Sequence, residues 1–356
     1  MVERAYLECM QDVLHPISQT HDVPEHWRLE PVRQDVWAAI WSPVHDMRIQ
    51  HPRSFDRMNF TRDTVRGEFA GMRYATGWQL NQHSNHKLSA RLGVISISRV
   101  HSGYATMDFE LKSFVLRPGQ ILINDHLQNY RGSQHEVLGE TIYVPRHLLG
   151  LPEGSATGPI LIEEDTVFGE TLGLEMTRFF DEPATADFEG DTLLHTVNSI
   201  IVRNRHPVSE RAGWWRARNE IIRKYIEANL GDQTLLPAKI CSVFNLSRAT
   251  LYRMFEADGG VRRYIQDRRL HVAIWDLADG GIKRGRLTHV SEKWGFSSNA
   301  NFNRAVKQAF SMPPGSLFAE GAYVPPARFG SMREAFPTFD WFVRLSEDAS
   351  LRRLRD

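Results

Sequence analysis

The stretch RATLYRMFEADGG, residues 248–260, decides the fold of the C-terminal third of the chain. Its buried-type residues Leu251 and Phe255 recur at helical spacing, and Asn245-Leu246-Ser247 stands directly before it. Asparagine tolerates the left-handed backbone of a tight turn, and serine is a good helix N-cap. A preceding helix is predicted over residues 235–244. Two short helices joined by a three-residue turn form a helix-turn-helix, whose second helix can enter the major groove of DNA.

A second unit of the same kind follows. The turn Gly295-Phe296-Ser297 precedes the helix SNANFNRAVKQAF, residues 298–310, about 50 residues after the first turn. Residues 261–281 lie between the units and have helical periodicity. A helix of about 18 residues is about 27 Å long, close to the roughly 34 Å repeat of the DNA groove. The spacing therefore predicts two DNA-reading helices held by one linker helix.

The net charge of zero conceals an uneven distribution. Residues 1–204 contain 18 Lys and Arg against 27 Asp and Glu, whereas residues 205–318 contain 19 against 10. A basic segment joined to an acidic one suits a module that meets phosphates, fused to one that does not. A chance distribution explains the charge alone equally well. The helical pattern within the basic segment is therefore needed to decide whether that segment binds phosphates.

The C-terminal segment resembles the AraC/XylS-type transcription regulators. The resemblance spans about residues 218–317 and rests on three stretches with the Pro313-Pro314 pair after them: SRATLYRMFEADGG, RRLHVAIWDLADG and WGFSSNANFNRAVKQAF. The sequence departs from the family pattern at Ser311, Ser291 and Trp294. The resemblance implies sequence-specific DNA binding.

The same resemblance, with the chemistry of base readout, indicates which side chains meet DNA. Arginine can bond guanine, asparagine can bond adenine, and alanine can touch the thymine methyl group. We expect base contacts from the exposed faces of both recognition helices, at Ala249, Tyr252, Arg253, Asn299, Ala300, Asn301 and Arg304. Backbone contacts are expected from Ser247, Arg248, Ser298 and Lys307. Arg268 and Arg269 are expected to brace the linker helix.

The N-terminal region reads as β-structure. Segments 91–100, 104–116, 120–124 and 141–145 are rich in β-branched and aromatic residues, with a turn at Arg117-Pro118-Gly119. This succession of strands and turns resembles the cupin-like barrel that such regulators carry as a sensory domain. The predicted fold class is α+β with two domains: an N-terminal cupin-like β-barrel with accessory helices, and a C-terminal all-α domain of two helix-turn-helix units joined by a long helix.

Three segments are expected along the chain. Residues 1–204 form a sensory and dimerisation domain, with the barrel at about 40–160 and two amphipathic helices at about 165–203. By resemblance those helices supply a homodimer contact, although packing within the chain explains their apolar stripes equally well. Residues 205–318 form the DNA-binding domain. Residues 319–356 form an extension whose aromatic residues predict that it docks back on the protein, near the joint between the domains.

An enzymatic role is not expected. Cupin enzymes need clustered His and carboxylate ligands, and the sequence has no such arrangement around His83, His86, His126 or His135. Motifs for serine hydrolases, phosphate loops and dinucleotides are absent from the sequence. We therefore expect no catalytic residue, no metal and no cofactor.

The barrel is instead expected to bind a small organic effector, in a mostly apolar pocket. Candidate effector-binding residues are Tyr104, Phe109, Phe114, Tyr143, Trp78 and Arg99. Because side chains alternate along a strand, only some of these residues can face inward. The sequence does not determine the strand register, which decides which ones do.

The function predicted is a sequence-specific transcription regulator, an activator that responds to this effector. Its partners would be double-stranded DNA, the effector and, for an activator, RNA polymerase. The sequence has no signal peptide and no apolar run long enough to span a membrane, so a cytoplasmic location is expected. Two alternatives stay open: a ligand-independent repressor or architectural factor, and a cupin-type enzyme with a DNA-binding domain.

Overall fold

The computed structural model describes residues 23–50, 59–84, 86–109, 113–152, 156–183, 188–205, 210–256, 258–280, 285–310, 313–317 and 332–353. Its N-terminal part is rich in antiparallel β-sheet, and its C-terminal part is helical and contains the helix-turn-helix units. This arrangement confirms the predicted two-part α+β fold class.

The N-terminal part contains one sheet of ten strands among the described residues, and each pairing in it is antiparallel. The strands are β1 (Glu30–Val32), β2 (Asp46–Gln50), β3 (Asn59–Arg66), β4 (Phe69–Thr76), β5 (Gln79–His83), β6 (Val94–Phe109), β7 (Ser113–Leu116), β8 (Gln120–Asp125), β9 (Tyr130–Pro145) and β10 (Ile160–Glu163). Two helices accompany them, α1 (Gln34–Trp41) and α2 (Leu88–Arg91).

The two long strands β6 and β9 pair along their whole length and form the centre of the sheet. β9 pairs with β5 through its first half and with β4 through its second half, while the other edge of β6 pairs with β8 and then β7. The sequence suggested separate strands at 91–100 and 104–116. The structure instead joins them into β6, which ends at Phe109.

A bend at Gly103 shapes this sheet. The pairing of β6 with β9 shifts register on both sides of Ser102, which marks a β-bulge. Gly103 has φ of +73° and packs so closely on the backbone of Glu136 that a Cβ would overlap it. A side chain does not fit at this position, so the bulge requires glycine.

Alternation along β6 separates the two faces of the sheet. Ile95 and Ile97 face outward into a cluster with two helices, α3 (Val167–Asp181) and α4 (Asp191–Arg205), whereas Ser96 and Ser98 line the interior cavity. The apolar stripes predicted for α3 and α4 therefore pack on the outer face of the sheet.

The C-terminal part contains two long helices and five shorter ones among the described residues. The helices are α5 (Glu210–Ala228), α6 (Pro237–Phe244), α7 (Arg248–Met254), α8 (Val261–Gly280), α9 (Arg286–Lys293), α10 (Asn299–Phe310) and α11 (Pro314–Leu317). Helices α6 and α7 form the first helix-turn-helix unit, and α9 and α10 form the second. The linker helix α8, of 20 residues, joins them.

Both interhelical turns have the predicted backbone. Asn245 is left-handed with φ of 49°, and the Ser247 hydroxyl accepts a hydrogen bond from the Thr250 amide at 3.1 Å. Gly295 has φ of +74° and lies against the Leu230 carbonyl, where a Cβ would not fit. These features confirm the predicted turns, because they need left-handed residues and a polar N-cap at these positions.

The extension beyond the second unit ends in two helices that pack on the β-sheet part, α12 (Met332–Ala335) and α13 (Pro337–Arg353). Phe339 and Phe342 are each 1% exposed and join a core cluster with Trp37 and Trp41 of α1. The Thr338 amide donates to Asp63 of β3 at 3.1 Å. The extension therefore lies against α1, β3 and β4 of the β-sheet part, whereas we expected it near the joint between the domains.

Candidate nucleic-acid interface and barrel cavity

The first recognition helix, α7, presents its predicted reading side chains outward. Ala249, Tyr252 and Arg253 are exposed, while Leu251 and Phe255 are fully buried beneath them. The predicted backbone-contact residues Ser247 and Arg248 are also exposed, at the start of the helix. The structure thus brings these five polar or small residues together on one surface of the first unit.

The second recognition helix, α10, has the same arrangement. Ala300, Asn301 and Arg304 are exposed, and Phe302 and Val306 are fully buried. Arg304 Nη1 lies 3.5 Å from Asn301 Oδ1, so these two side chains are neighbours on the outer face. The predicted backbone-contact residues Ser298 and Lys307 flank them and are exposed.

Asn299 differs from the other predicted base readers. Its Oδ1 accepts from the Ser291 hydroxyl at 2.8 Å, and its Nδ2 donates to the Thr288 hydroxyl at 2.6 Å. Both partners lie on α9, so the Asn299 amide is occupied in joining α9 to α10. The departure from the family pattern at Ser291 was the sequence signal for this contact, and sequence reasoning did not connect it with Asn299.

The linker helix is braced by two arginines, as expected. Arg269 donates to the carbonyls of Leu230 and Asp232, at 2.8 and 2.6 Å. Arg268 is 1% exposed and donates to both carboxylate oxygens of Glu227, at 2.8 and 2.9 Å. These contacts join α8 to α5 and to the segment that follows α5.

The linker helix also packs on the barrel, which sequence reasoning missed. Arg268 and His271 both contact the Asp108 carboxylate of β6, with His271 Nε2 at 3.1 Å. Burial alone would raise the pKa of Asp108, but the charges of Arg268 and His271 outweigh it and hold that pKa well below its usual value. Two further ion pairs, Arg117–Asp267 and Arg131–Asp279, also join the β-sheet part to α8.

The interior of the sheet contains a cavity of about 50 Å³. Its wall includes side chains of α1 and of strands β4 to β9, among them Trp41, Tyr74, Thr106, Asn124 and Tyr143. Polar side chains take part in this wall, but most of its surface is apolar, as we expected of a pocket in this part of the chain.

Several polar atoms around the cavity are buried without a hydrogen-bond partner in the described part of the chain. They are Trp41 Nε1, His45 Nε2, Asn81 Oδ1, Thr106 Oγ1 and Asn124 Oδ1. Buried polar groups normally find partners, so these five atoms are exceptions within the described part of the chain.

Three histidines lie beside the same cavity. The rings of His83 and His126 are 5.1 Å apart, and His45 Nδ1 is 3.3 Å from the Tyr130 hydroxyl. Burial lowers the pKa of His45 and His126 well below the usual value, so both are neutral at physiological pH. No group of three or more His, Cys, Asp or Glu that could hold a metal ion occurs among the described residues.

Of the six predicted effector-binding residues, only Tyr143 lines the cavity. Arg99 binds Glu140 and Glu164 on the face that α3 covers, and Tyr104 stacks on His135 next to the linker helix.

The other three predicted residues also lie outside the cavity wall. Phe109 packs against Tyr130 with ring centroids 5.4 Å apart, and Phe114 packs on Phe109. Trp78 belongs to the cluster formed with the linker helix. The strand register decides these positions, and it was not readable from the sequence.

An apolar surface lies on the outer side of α3 and α4. Val167, Leu174 and Val202 are 78%, 60% and 54% exposed. These residues are separate from the stripe that packs on the sheet.

Comparison with known proteins adds a match for the C-terminal part. Residues 240–320 match the model of a helix-turn-helix domain family. No curated protein matches the chain.

Solved structures with a related arrangement include the AraC-like transcriptional activator CuxR, at 20% identity over 68% of this chain and 91% of CuxR, with a TM-score of 0.41. The unsaturated fatty acid-bound ToxT of Vibrio cholerae aligns at 13% identity over 75% of this chain and 97% of its own, with a TM-score of 0.28. The C-terminal domain of the response regulator AraT of Geobacillus stearothermophilus aligns at 17% identity over 32% and 93%, with a TM-score of 0.27.

Within the described residues, the helices are too short or too polar to cross a membrane.

Proposed function

We propose that this chain is a DNA-binding transcription regulator of the AraC type, which reads one specific site through both recognition helices of its helix-turn-helix domain under the control of a barrel-bound effector. The observation that carries the proposal is the pair of exposed faces on α7 and α10, joined by one braced helix. The linker helix of 20 residues is about 30 Å long, which suits two adjacent major-groove segments.

The base readers in this proposal are Arg253, Arg304 and Asn301, with Tyr252, Ala249 and Ala300 beside them. Their exposure leaves the side chains able to reach base edges. Phosphate contacts are assigned to Ser247, Arg248, Ser298 and Lys307, which flank the reading faces. Asn299 is assigned to positioning α10, because its amide is occupied by Ser291 and Thr288.

Control by an effector is supported by the cavity and by its connection to the linker helix. Ser133 lines the cavity, and its hydroxyl lies 2.9 Å from His271 Nδ1 on α8. A molecule that moves Ser133 would therefore act on the helix that holds both reading units. We propose that binding shifts the population of orientations of that helix, so that the chain acts as an activator.

A second candidate is a regulator that needs no ligand. The small size of the cavity favours it, since about 50 Å³ leaves room for only a few water molecules in this conformation. In that case the barrel would serve as a fixed platform for α8, and the chain would act as a repressor or architectural factor.

The apolar surface formed by Val167, Leu174 and Val202 supports a homodimer, which would bring two copies of the tandem units to one operator. As an activator, the chain would also contact RNA polymerase, and it would act in the cytoplasm. These assignments are part of the proposal.

Selection of binding sites from random double-stranded DNA tests the proposal. We expect the full chain to enrich one motif with two conserved blocks about one helical turn apart. Enrichment of a single block would show that only one helix-turn-helix unit reads the sequence. The absence of any motif would reject sequence-specific DNA binding.

A further inference from the structure

The two helix-turn-helix units contact each other directly, in addition to their connection through α8. The turn of the second unit lies against the segment that follows α5. A Cβ on Gly231 would lie 2.6 Å from the Lys293 carbonyl oxygen, and a Cβ on Gly295 would lie 2.5 Å from the Leu230 carbonyl oxygen. Both distances are too short for a side chain, so each unit contributes a glycine where the two backbones meet.

Trp294 lies at this contact between the units. Its side chain packs against the apolar cluster of the first unit, which contains Leu251, and against that of the second unit, which contains Phe302. The sequence departs from the family pattern at this residue. The indole therefore gives the two units a shared part of their cores.

The position of α9 on the linker helix depends on one carboxylate. Asp276 Oδ1 accepts from Arg286 Nη2 at 2.8 Å. Asp276 Oδ2 accepts from Lys293 Nζ at 2.5 Å and from Trp294 Nε1 at 2.9 Å. Arg286 is the first residue of α9 and Lys293 is the last, so Asp276 contacts both ends of this helix.

Asp276 is ionised in this arrangement. Burial alone would raise the pKa of its carboxyl, but the hydrogen bonds from Lys293 and Trp294 outweigh burial and lower that pKa. Helix α9 is in turn joined to the recognition helix α10, through the hydrogen bond between Ser291 and Asn299. The position of α10 relative to the first unit therefore depends on the contacts of Asp276 and Trp294.

We propose that Asp276 and Trp294 are positioning residues that set the spacing between the two DNA blocks which this chain accepts. The inference rests on the proposed tandem reading and names what fixes its geometry. One added base pair moves a block by about 3.4 Å along the DNA axis and turns it by about 34° around that axis. Helix α10 can follow this movement only if α9 shifts on α8, and the contacts of Asp276 and Trp294 oppose that shift. The chain accepts one spacing and discriminates against its neighbours.

Binding of the full chain to duplexes that differ only in the spacing of the two selected blocks tests this inference. The duplexes have the selected spacing, one base pair more or one base pair fewer, and the Kd is measured for each. Asp276→Asn keeps the shape of the side chain and removes its charge. Trp294→Phe removes the N–H donor and keeps an aromatic ring between the units. Glu292→Gln is the charge-matched control, because Glu292 is exposed on the same helix α9.

We expect the wild type to bind about tenfold more weakly at either altered spacing, and both variants to bind about threefold more weakly or less. The base preference within each block should stay unchanged, which separates a positioning role from base reading. Glu292→Gln should keep the tenfold discrimination. If Asp276→Asn does not fold in urea-unfolding controls, the milder Trp294→Phe decides the outcome.

Two results would overturn the inference and leave tandem reading intact. One is a discrimination in both variants equal to that of the wild type, and the other is equal binding of the wild type to all three spacings. Binding of the wild type to one block alone would reject tandem reading, and this inference with it.

Discussion

His271 of the linker helix lies 3.1 Å from Asp108 of the barrel, measured between His271 Nε2 and Asp108 Oδ2. Arg268, on the same helix, pairs with the same carboxylate. One carboxylate of the barrel therefore contacts the helix that joins both helix-turn-helix units, and the side chain of Ser133 connects this contact to the cavity.

Replacing Asp108 tests the strength of that contact. In Asp108→Asn, the buried Arg268 keeps only Glu227 as a charged partner, so we expect the free energy of unfolding to fall by about 2 kcal/mol. The control is Asp279→Asn, which removes the Arg131–Asp279 pair, where both side chains are more than 40% exposed. That change should cost under about 1 kcal/mol in urea unfolding. Equal losses would mean that Asp108 does not fix the interface.

Ser291→Ala tests the positioning role of Asn299. The substitution leaves the Asn299 Oδ1 atom without its donor, and we expect a stability loss of about 1 kcal/mol. DNA affinity should fall by a similar factor for every base at each position of the site, because α10 is misplaced as a whole. Arg304→Ala is the comparison, since it should relax the preference at one position. A preference changed by Ser291→Ala at a single base pair would show that Asn299 reads that base.

The docked extension should respond to pH through Asp63. Burial raises the pKa of this carboxyl to about 6, from 3.8 in the unfolded chain. Protonation therefore favours the folded state, and the contribution of Asp63 to stability falls as the pH rises from about 4 to about 6. The penalty above pH 6 is at most about 3 kcal/mol. We expect Asp63→Asn to raise the Tm at pH 7.5, and to raise it by a smaller amount at pH 5. An equal increase in Tm at both pH values would contradict the claim that ionisation of Asp63 lowers the stability of the folded chain.

Phe342 tests whether the extension is part of the barrel core. Its ring packs 5.1 Å from Tyr143, which lines the cavity, so Phe342→Ala should lower the free energy of unfolding by about 3 kcal/mol. Arg344→Ala on the same helix is the control, because its side chain is 59% exposed and its pair with Asp340 is a surface pair. Thermal melts of both variants decide the point. A similar small shift for both would show that α13 contributes little to the barrel.

The helix-turn-helix units could be predicted because their signals are local. The left-handed Asn245, the N-cap Ser247 and the apolar spacing of Leu251 and Phe255 all lie within about a dozen residues. A chain segment of that length contains the information that fixes its own turn and helix.

The cavity could not be predicted, because it depends on pairings that are distant in sequence. Arg99 was proposed as an effector residue, but its partner Glu140 lies 41 residues away on β9. Alternation shows that a strand has two faces, and only the register shows which one is inside. The contact between Asn299 and Ser291 spans only 8 residues, and it was missed because it joins the side chains of two helices across a turn.

Footprinting of the full chain on a selected binding site, across a salt series, tests the central claim most directly. It should compare the wild type with Arg253→Ala, Arg304→Ala and the charge-matched control Arg344→Ala. We predict protection of about two helical turns that weakens steeply with salt. Each recognition-helix variant should weaken specific binding about 5- to 150-fold, and the control should leave it unchanged. Salt-sensitive binding without sequence preference, equal in all four proteins, would contradict tandem reading by α7 and α10.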